Sequence, residues 1–521
     1  MSASVNDLNP KAGREFFGHP KGLSTLFMTE MWERFSYYGL RPLLVLFMST
    51  AVLSGGFGFD RPQASAIVGI YAASVYLASL PGGWVADRWL GLRRSIQVGA
   101  FLITMGHLCI GLSGFVATKV VFFIGLILIV IGTGLLKPNI SAIVGDLYPE
   151  GGARRDAGFS IFYMGINTGS LLGQLVTGFL GENYGFHWGF GAAGVGMLFG
   201  FLWFSFRAQP TLGDTGKEPT RNPDPVKQAK QENTVKGSVA GVLALLGIVV
   251  ILAAVGVITL DPVVVGKYFA YFLGLIVIAY FTYVFVFGGL NSDEKKRVLV
   301  IAVLSFAALI FWAAFEQAPT SLQLFAKDFT DRQFFGREVP ATWFQSINSL
   351  FIIIFAPVFA WLWTWFGNRN INISSPAKFA FGLAMAAVGF GLMIIPANNL
   401  VATGGAIKVS AWWLTISYLF QTFGELSVSP VGLSSMTKLS PRRYVGQMMG
   451  VWFLATSLGN LIAGLVGGSV DPEKLEQTPQ LFTWTTIALV VSAAILALLA
   501  IPISKMMRNV EDQGSETVEP A

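Results

Sequence analysis

The sequence predicts an all-α polytopic membrane protein, and three observations carry that prediction. Hydrophobic residues make up 53% of the chain and charged residues 12%, with a mean hydropathy of +0.61, a balance that points away from a water-soluble domain. Apolar runs near or above the ~20 residues a membrane helix needs recur fourteen times. Between them, basic residues concentrate in every second segment, the alternation expected of a chain that threads back and forth with its basic loops on one side.

In chain order, the first six spans are Leu23–Leu53, Ala64–Trp84, Ile96–Phe115, Val120–Val144, Ala157–Leu180 and Trp188–Phe206. A polar stretch from Gln209 to Gly237 follows, basic and carrying Pro210, Pro219, Pro223 and Pro225, as expected of a linker. Val239–Leu260 and Gly266–Leu290 come next, joined by the Asp261-Pro262 turn; their apolar stretches hold almost no charge and read as an inserted hairpin facing lipid. The last six are Val298–Phe325, Thr342–Phe366, Phe379–Pro396, Ser410–Met436, Tyr444–Gly468 and Leu481–Met506. Glycines or short length weaken the fifth, sixth and ninth. The expected division is 1–236 for the first bundle with its linker, 237–296 for the hairpin, 297–510 for the second bundle and 511–521 for a disordered acidic tail.

Most of the 35 Lys and Arg fall in segments that share a side with both termini, so the expected topology is multi-pass with both termini cytoplasmic. The net charge of +6 is then a topology signal and implies no nucleic acid. The first 22 residues are polar, so the first span is expected to serve as the insertion signal. Cys109 stands alone, which excludes an intramolecular disulfide.

Pro81, Trp89, Gly91 and Arg93 recur at one constant offset as Pro357, Trp365, Gly367 and Arg369, where the second helix of each half leaves the membrane. Six helices repeated by six, with a site at mid-membrane, is the architecture of major facilitator transporters. The segment Gly83-x-x-x-Asp87-Arg88-x-x-Gly91-x-Arg93-Arg94 resembles that superfamily's cytoplasmic signature.

Ionisable groups inside the spans locate a candidate pathway. Each costs ~3 kcal/mol at mid-membrane and so faces water or a partner. Glu30, Arg34, Tyr37, Tyr38 and Arg41 repeat at three- and four-residue spacing, with Glu33 beside them, as one polar stripe. Lys137, Glu316 and Glu425 lie deep in other spans, each near a proline: Pro138, Pro319 and Pro430. A proline frees a carbonyl and permits a bend, which makes these three candidate gating hinges. The carboxylates Glu30, Glu33, Glu316 and Glu425 outnumber the cations Arg34, Arg41 and Lys137 by one. A surplus buried carboxylate tends to hold a proton, which motivates proton coupling. Lys137 and Arg41 form a basic pole, Glu316 and Glu425 an acidic one, suiting a ligand with a carboxylate and an ammonium. Interhelical ion pairing with no ligand contact accounts for the same charges, and the two readings are compatible.

The run Glu30-x-x-Glu33-Arg34-Phe35-x-Tyr37-Tyr38-Gly39 resembles the first-helix motif of the proton-coupled oligopeptide transporter family. Phe162-Tyr163-x-x-Ile166-Asn167-x-Gly169-Ser170-Leu171 resembles its fifth-helix motif, and Gly424-Glu425-Leu426-Ser427 stands where that family places functional residues. The resemblance implies symport of di- and tripeptides with protons by alternating access, in a bacterial inner membrane, by a chain functional as a monomer. It implies that Arg41 and Lys137 face the peptide carboxylate and Glu425 its amino terminus, with Tyr38, Tyr76, Tyr163, Asn167, Asn348 and Trp452 lining the pocket. Tyr71 competes with Tyr76 for its place. Glu30, Glu33 and Glu316 would carry proton coupling, with Arg34 paired to the glutamates and Lys137. Each Tyr or Trp taken singly reads equally as packing.

Two other classes compete. A symporter of the same fold for a small anion such as nitrate has no use for an acidic pole. A membrane-embedded enzyme needs a catalytic set, yet His19, His107 and His187 are scattered and form no His-Glu-x-x-His metal motif. The chain is therefore expected to need no metal or cofactor.

Overall fold

A computed structural model describes residues 16–115, 119–149, 152–220, 223–369, 371 and 373–515, without the side chains of 505–515. Among these the fold is helical apart from four two-residue strands. The helices are α1 (Lys21–Ser49), α2 (Arg61–Val85), α3 (Leu92–Leu112), α4 (Lys119–Asp146), α5 (Gly152–Asn183) and α6 (Phe186–Leu212), then α7 (Pro225–Ala254) and α8 (Pro262–Phe287). There follow α9 (Ser292–Phe315), the short α10 (Gln323–Asp328), α11 (Trp343–Asn368), α12 (Ser375–Ala402), α13 (Trp412–Leu439), α14 (Val445–Gly467) and α15 (Gln477–Ser515). A π-helical turn, Ala318–Leu322, joins α9 to α10 as one membrane-length rod.

Eleven of these rods are long and apolar enough to cross a membrane. The long helices outside that set are α1, α5 and α13, which hold Glu30, Glu33, Arg34 and Arg41, then Asn167, then Glu425. The helices that fall short on hydropathy thus carry polar groups read from the sequence as functional.

Several boundaries differ from the sequence reading. α7 starts at Pro225, inside the stretch read as linker, because Asp224 accepts from the backbone N–H groups of Val226 and Lys227 and Pro225 occupies the first turn. Hydropathy registers only the apolar part of that helix. α8 is capped in the same way by Asp261, and α9 opens with a capping box of Asn291 and Glu294. At the other end α15 continues to Ser515, so the first residues of the acidic tail are helical; 516–521 lie outside the described residues. No proline after Pro502 interrupts that helix.

The chain forms two compact units. The first comprises Met1–Tyr38, Ala78–Gly173 and Phe190–Val255. Its helices approach through glycines. A β-carbon on Gly106 would lie 2.6 Å from the Gly125 carbonyl oxygen, and one on Gly125 would lie 2.6 Å from that of Gly106. Gly99 and Gly132 repeat the arrangement one heptad along α3 and α4. Small residues at such crossings let backbones meet where lipid supplies no hydrophobic drive.

The second unit comprises Gly39–Leu77, Gln174–Gly189 and Gly256–Ala521. Here α12 packs on α13 through Gly382 and Gly424, each within 3 Å of the other's carbonyl oxygen once a β-carbon is added. Strand β1 (Thr330–Asp331) pairs in parallel with β4 (Val409–Ser410), and β2 (Gln333–Phe334) pairs with β3 (Arg337–Glu338) through Phe335 and Gly336, both left-handed at φ 49° and 74°. The all-α expectation missed these small clasps. Along the hairpin few side chains are buried: Val235 in α7, and Gly266, Leu273 and Val284 in α8.

Candidate functional site

In the first unit the stripe on α1 is an ion cluster. Arg34 Nε donates to Glu30 Oε1 at 2.7 Å, one helical turn away, and lies 2.7 Å from Glu33 Oε2. All three side chains are at most 3% exposed. Lys137 on α4 acts electrostatically on Glu33, so its link to Arg34 runs through that carboxylate and is no direct pairing of two cations. The Arg34 guanidinium also lies over the Tyr37 ring, 5.6 Å from its centre, and Tyr37 packs edge-on against Tyr38.

α5 brings its motif to this cluster through a glycine every four residues. Gly165 faces the Phe27 ring, Gly169 the Met31 carbonyl and the Arg34 β-carbon, and Gly173 the Phe35 backbone. Any side chain at Gly169 would collide with the α1 backbone, so the motif's glycine sets the approach of α5 to the charges. On the same helix Tyr163 is 41% exposed while Asn167 is buried, its amide donating to the Tyr163 carbonyl at 3.0 Å.

The second unit joins residues far apart in sequence. Arg41 Nη2 donates to Glu316 Oε2 at 2.5 Å and to Asn460 Oδ1 at 3.3 Å. Asn460 is itself anchored by donating to the Thr456 carbonyl at 3.0 Å. The Arg41 and Glu316 side chains are 5% and 7% exposed, a nearly dry pair. On α13, Glu425 accepts from the Asn348 amide at 3.1 Å, and that amide also donates to Thr422 Oγ1 at 3.0 Å. Glu425 and Glu316 lie within electrostatic reach of each other. Trp452 is buried; its indole occupies the space left by Gly432 and meets Phe379 edge-on at 6.3 Å. Tyr76 is partly exposed and Tyr71 buried. Ser427 and Ser457 satisfy backbone carbonyls of Phe423 and Ala73.

The three prolines behave differently. Pro319 sits in the π-helical turn just after Glu316, where α9 ends. Pro138 and Pro430 lie within uninterrupted helices. Next to Pro138, the Gly134 carbonyl, freed of its helical partner, faces Gly82 of α2, and Asn139 donates to the Leu135 carbonyl at 2.6 Å.

Of the signature, Asp87 and Arg88 lie in the π-helical turn Ala86–Leu90 that follows α2, and Arg93 and Arg94 in the first turn of α3. Gly91 there has φ 75°, and a β-carbon on it would lie 2.7 Å from the Lys217 carbonyl. Arg93 donates to the Gly213 carbonyl at 2.6 Å and to Gln209 Oε1 at 3.1 Å, Arg88 to Gln231 at 3.0 Å, and the Asp87 carbonyl accepts from Thr220. The polar stretch after α6 is thus strapped to this turn.

Sequence reasoning missed a second set of pairs in the second unit. Arg61 bonds Asp328 at 2.7 Å. Glu182, at the end of α5, accepts from the Thr342 N–H and hydroxyl at 2.9 and 3.0 Å and pairs with Lys327 at 3.1 Å. Asn460 was missed as well, although an amide inside a membrane helix needs a partner and is a signal in itself.

With this geometry in place, comparison with known proteins is informative. A family model described as the POT family matches residues 93–485. The chain is 49% identical over 505 residues to a peptide transporter of Yersinia enterocolitica, covering 97% of this chain and 98% of that one. It is 37% identical to a di-/tripeptide transporter of Lactococcus lactis, covering 97% and 100%. Among solved structures it resembles a peptide transporter POT in complex with sulfate, with TM-score 0.85, 40% identity and coverage of 95% and 97%. It also resembles a POT family transporter in complex with 5-aminolevulinic acid, with TM-score 0.84, 34% identity and coverage of 94% and 98%.

Proposed function

The chain belongs to the POT family, a family of multi-pass transporters with the major facilitator fold and not of enzymes, and from that premise we propose that it imports di- and tripeptides with protons by alternating access. Relatives described as peptide transporters support the cargo. The relative holding 5-aminolevulinic acid supports a ligand with an ammonium at one end and a carboxylate at the other. A bare anion such as nitrate leaves Glu425 without a role.

The observation that carries the reading is the buried Arg41–Glu316 pair. A proton on Glu316 dissolves that pair and frees Arg41 for a peptide carboxylate. Loss of the proton restores the pair and expels the ligand. Asn460 holds Arg41 in place through both states. Among the described residues Glu425 accepts from the Asn348 amide at 3.1 Å and is paired with no cation, which leaves it available to a peptide ammonium. In the first unit, Glu30, Glu33 and Arg34 with Lys137 provide a second place where a proton and a cation compete.

Proposed peptide contacts are Tyr38, Lys137, Tyr163 and Asn167 in the first unit, and Arg41, Tyr76, Asn348, Glu425 and Trp452 in the second. Pro138, Pro319 and Pro430 are proposed hinges, and the two sequence halves, 1–236 and 297–510, the moving bodies. The charge bias of the loops supports cytoplasmic termini. On that orientation, Arg61–Asp328 and Glu182–Lys327 lie toward the outer ends of their helices. We take the transporter to work as a monomer in a bacterial inner membrane.

Labelled dipeptide uptake into proteoliposomes tests the proposal. Each proton entering down ~100 mV releases about 2.3 kcal/mol, enough for roughly fifty-fold accumulation. Accumulation that a protonophore abolishes is the expected result; equilibration alone, for every di- and tripeptide tried, overturns it.

A further inference from the structure

The turn between α2 and α3 borders a cavity of about 440 Å³ in the first unit, lined by Trp89, Arg93, Arg94, Lys217 and Glu218. Peptide chemistry has no use for it, since none of these groups belongs to the charge clusters described above. Its charges do not cancel. Lys217 pairs with Asp214 at 3.1 Å, and among the lining groups named above Glu218 is the one carboxylate beside Arg93 and Arg94. Arg93 donates to two neutral acceptors, the Gly213 carbonyl and the Gln209 amide oxygen, with the Asp214 carboxylate acting on it from farther away. One positive charge is left over, the complement of a single phosphodiester.

The surface beside the cavity is apolar. Gln97 of α3 donates to Ser205 of α6 at 3.3 Å on the cavity wall. One turn farther along, Val98, Phe101 and Leu202 are exposed, and the Phe101 and Phe201 rings meet at 5.8 Å. Trp89, part of the lining, has the Lys236 ammonium 5.8 Å from its ring, an amphipathic group of the kind found at headgroup level. A basic recess opening onto an apolar groove fits one molecule with a phosphate head and acyl chains.

We propose that this cavity binds the headgroup of an anionic glycerophospholipid, its phosphodiester on Arg94 and Arg93 and an acyl chain over Phe101. Free phosphate shares the headgroup chemistry and lacks the acyl chain.

Native mass spectrometry of the detergent-solubilised full chain, titrated with phosphatidylglycerol, phosphatidylethanolamine or inorganic phosphate, tests this. One phosphatidylglycerol is retained in preference to phosphatidylethanolamine, and inorganic phosphate at equal concentration does not displace it. Arg94→Gln weakens retention about fivefold, the ~1 kcal/mol expected per cation near an anionic lipid surface, while Arg94→Lys restores it. Lys230→Gln, an exposed cation on α7 outside the cavity, leaves retention unchanged. Equal retention of the two lipids, displacement by phosphate alone, or an Arg94→Gln effect no larger than that of Lys230→Gln overturns the proposal. Thermal unfolding of each variant separates a lost site from a lost fold, and the lipid preference of the parent chain carries the test if Arg94→Gln unfolds.

Discussion

Replacing Glu316 by Gln removes one charge from a nearly dry ion pair in the second unit while keeping its shape. Arg41 and Glu316 are 5% and 7% exposed and 2.5 Å apart. With charge centres ~4 Å apart at an effective dielectric near 20, their attraction is about 4 kcal/mol. Deleting one partner of a buried pair costs ~3–5 kcal/mol, because the other charge stays stranded. Asn460, at 3.3 Å, remains as a neutral acceptor and recovers part of that loss. Conformations that hold the pair are therefore destabilised by ~3 kcal/mol, a shift of roughly 150-fold in their population. The variant also loses a proton acceptor. In proteoliposomes, proton-driven dipeptide accumulation by Glu316→Gln falls to equilibrium, whereas exchange between two peptide-loaded sides persists, since exchange needs no net proton movement. Accumulation at the parent level removes Glu316 from coupling and refutes the reasoning.

Glu425→Gln weakens free dipeptides by ~1.5–3 kcal/mol, about 10- to 150-fold, because a charge-assisted hydrogen bond to the ammonium becomes neutral; amino-terminally acetylated dipeptides compete as before, and equal weakening of both denies Glu425 its ligand. Gly169→Val sets a side chain against the Met31 carbonyl and lowers the unfolding midpoint through ~1–3 kcal/mol of overpacking, so an unchanged midpoint shows that α1 and α5 do not meet as described. Asp224→Ala removes the cap of α7 and costs ~1 kcal/mol, read as faster amide exchange confined to the start of that helix.

Much of the helical fold is legible because lipid imposes one rule, that every backbone group must bond within its own segment. Its exceptions are instructive. The start of α7 was hidden because Asp224 and Pro225 resemble linker residues until their capping geometry is seen. Lengths of apolar run likewise understate α12, which extends from Ser375 to Ala402.

The charged residues themselves were legible for the same reason, as costs needing an explanation. Their pairing was legible only where it is local. Arg34 and Glu30 are one turn apart on one helix, so their spacing predicts contact. Arg41 and Glu316 are separated by 275 residues, and no periodicity links them. The same holds for Glu182, whose partners Lys327 and Thr342 come from the α10 end and the α11 start. At the ends of spans a carboxylate carries no obvious cost, so nothing singled it out.

The most direct test of the central claim is a proton measurement. Proteoliposomes loaded with a pH-sensitive dye, equal in pH and clamped at an inside-negative potential, receive external dipeptide. The expected result is acidification of the lumen that requires the dipeptide and disappears in Glu316→Gln. Peptide entry into the same vesicles with no change in lumenal pH would contradict it.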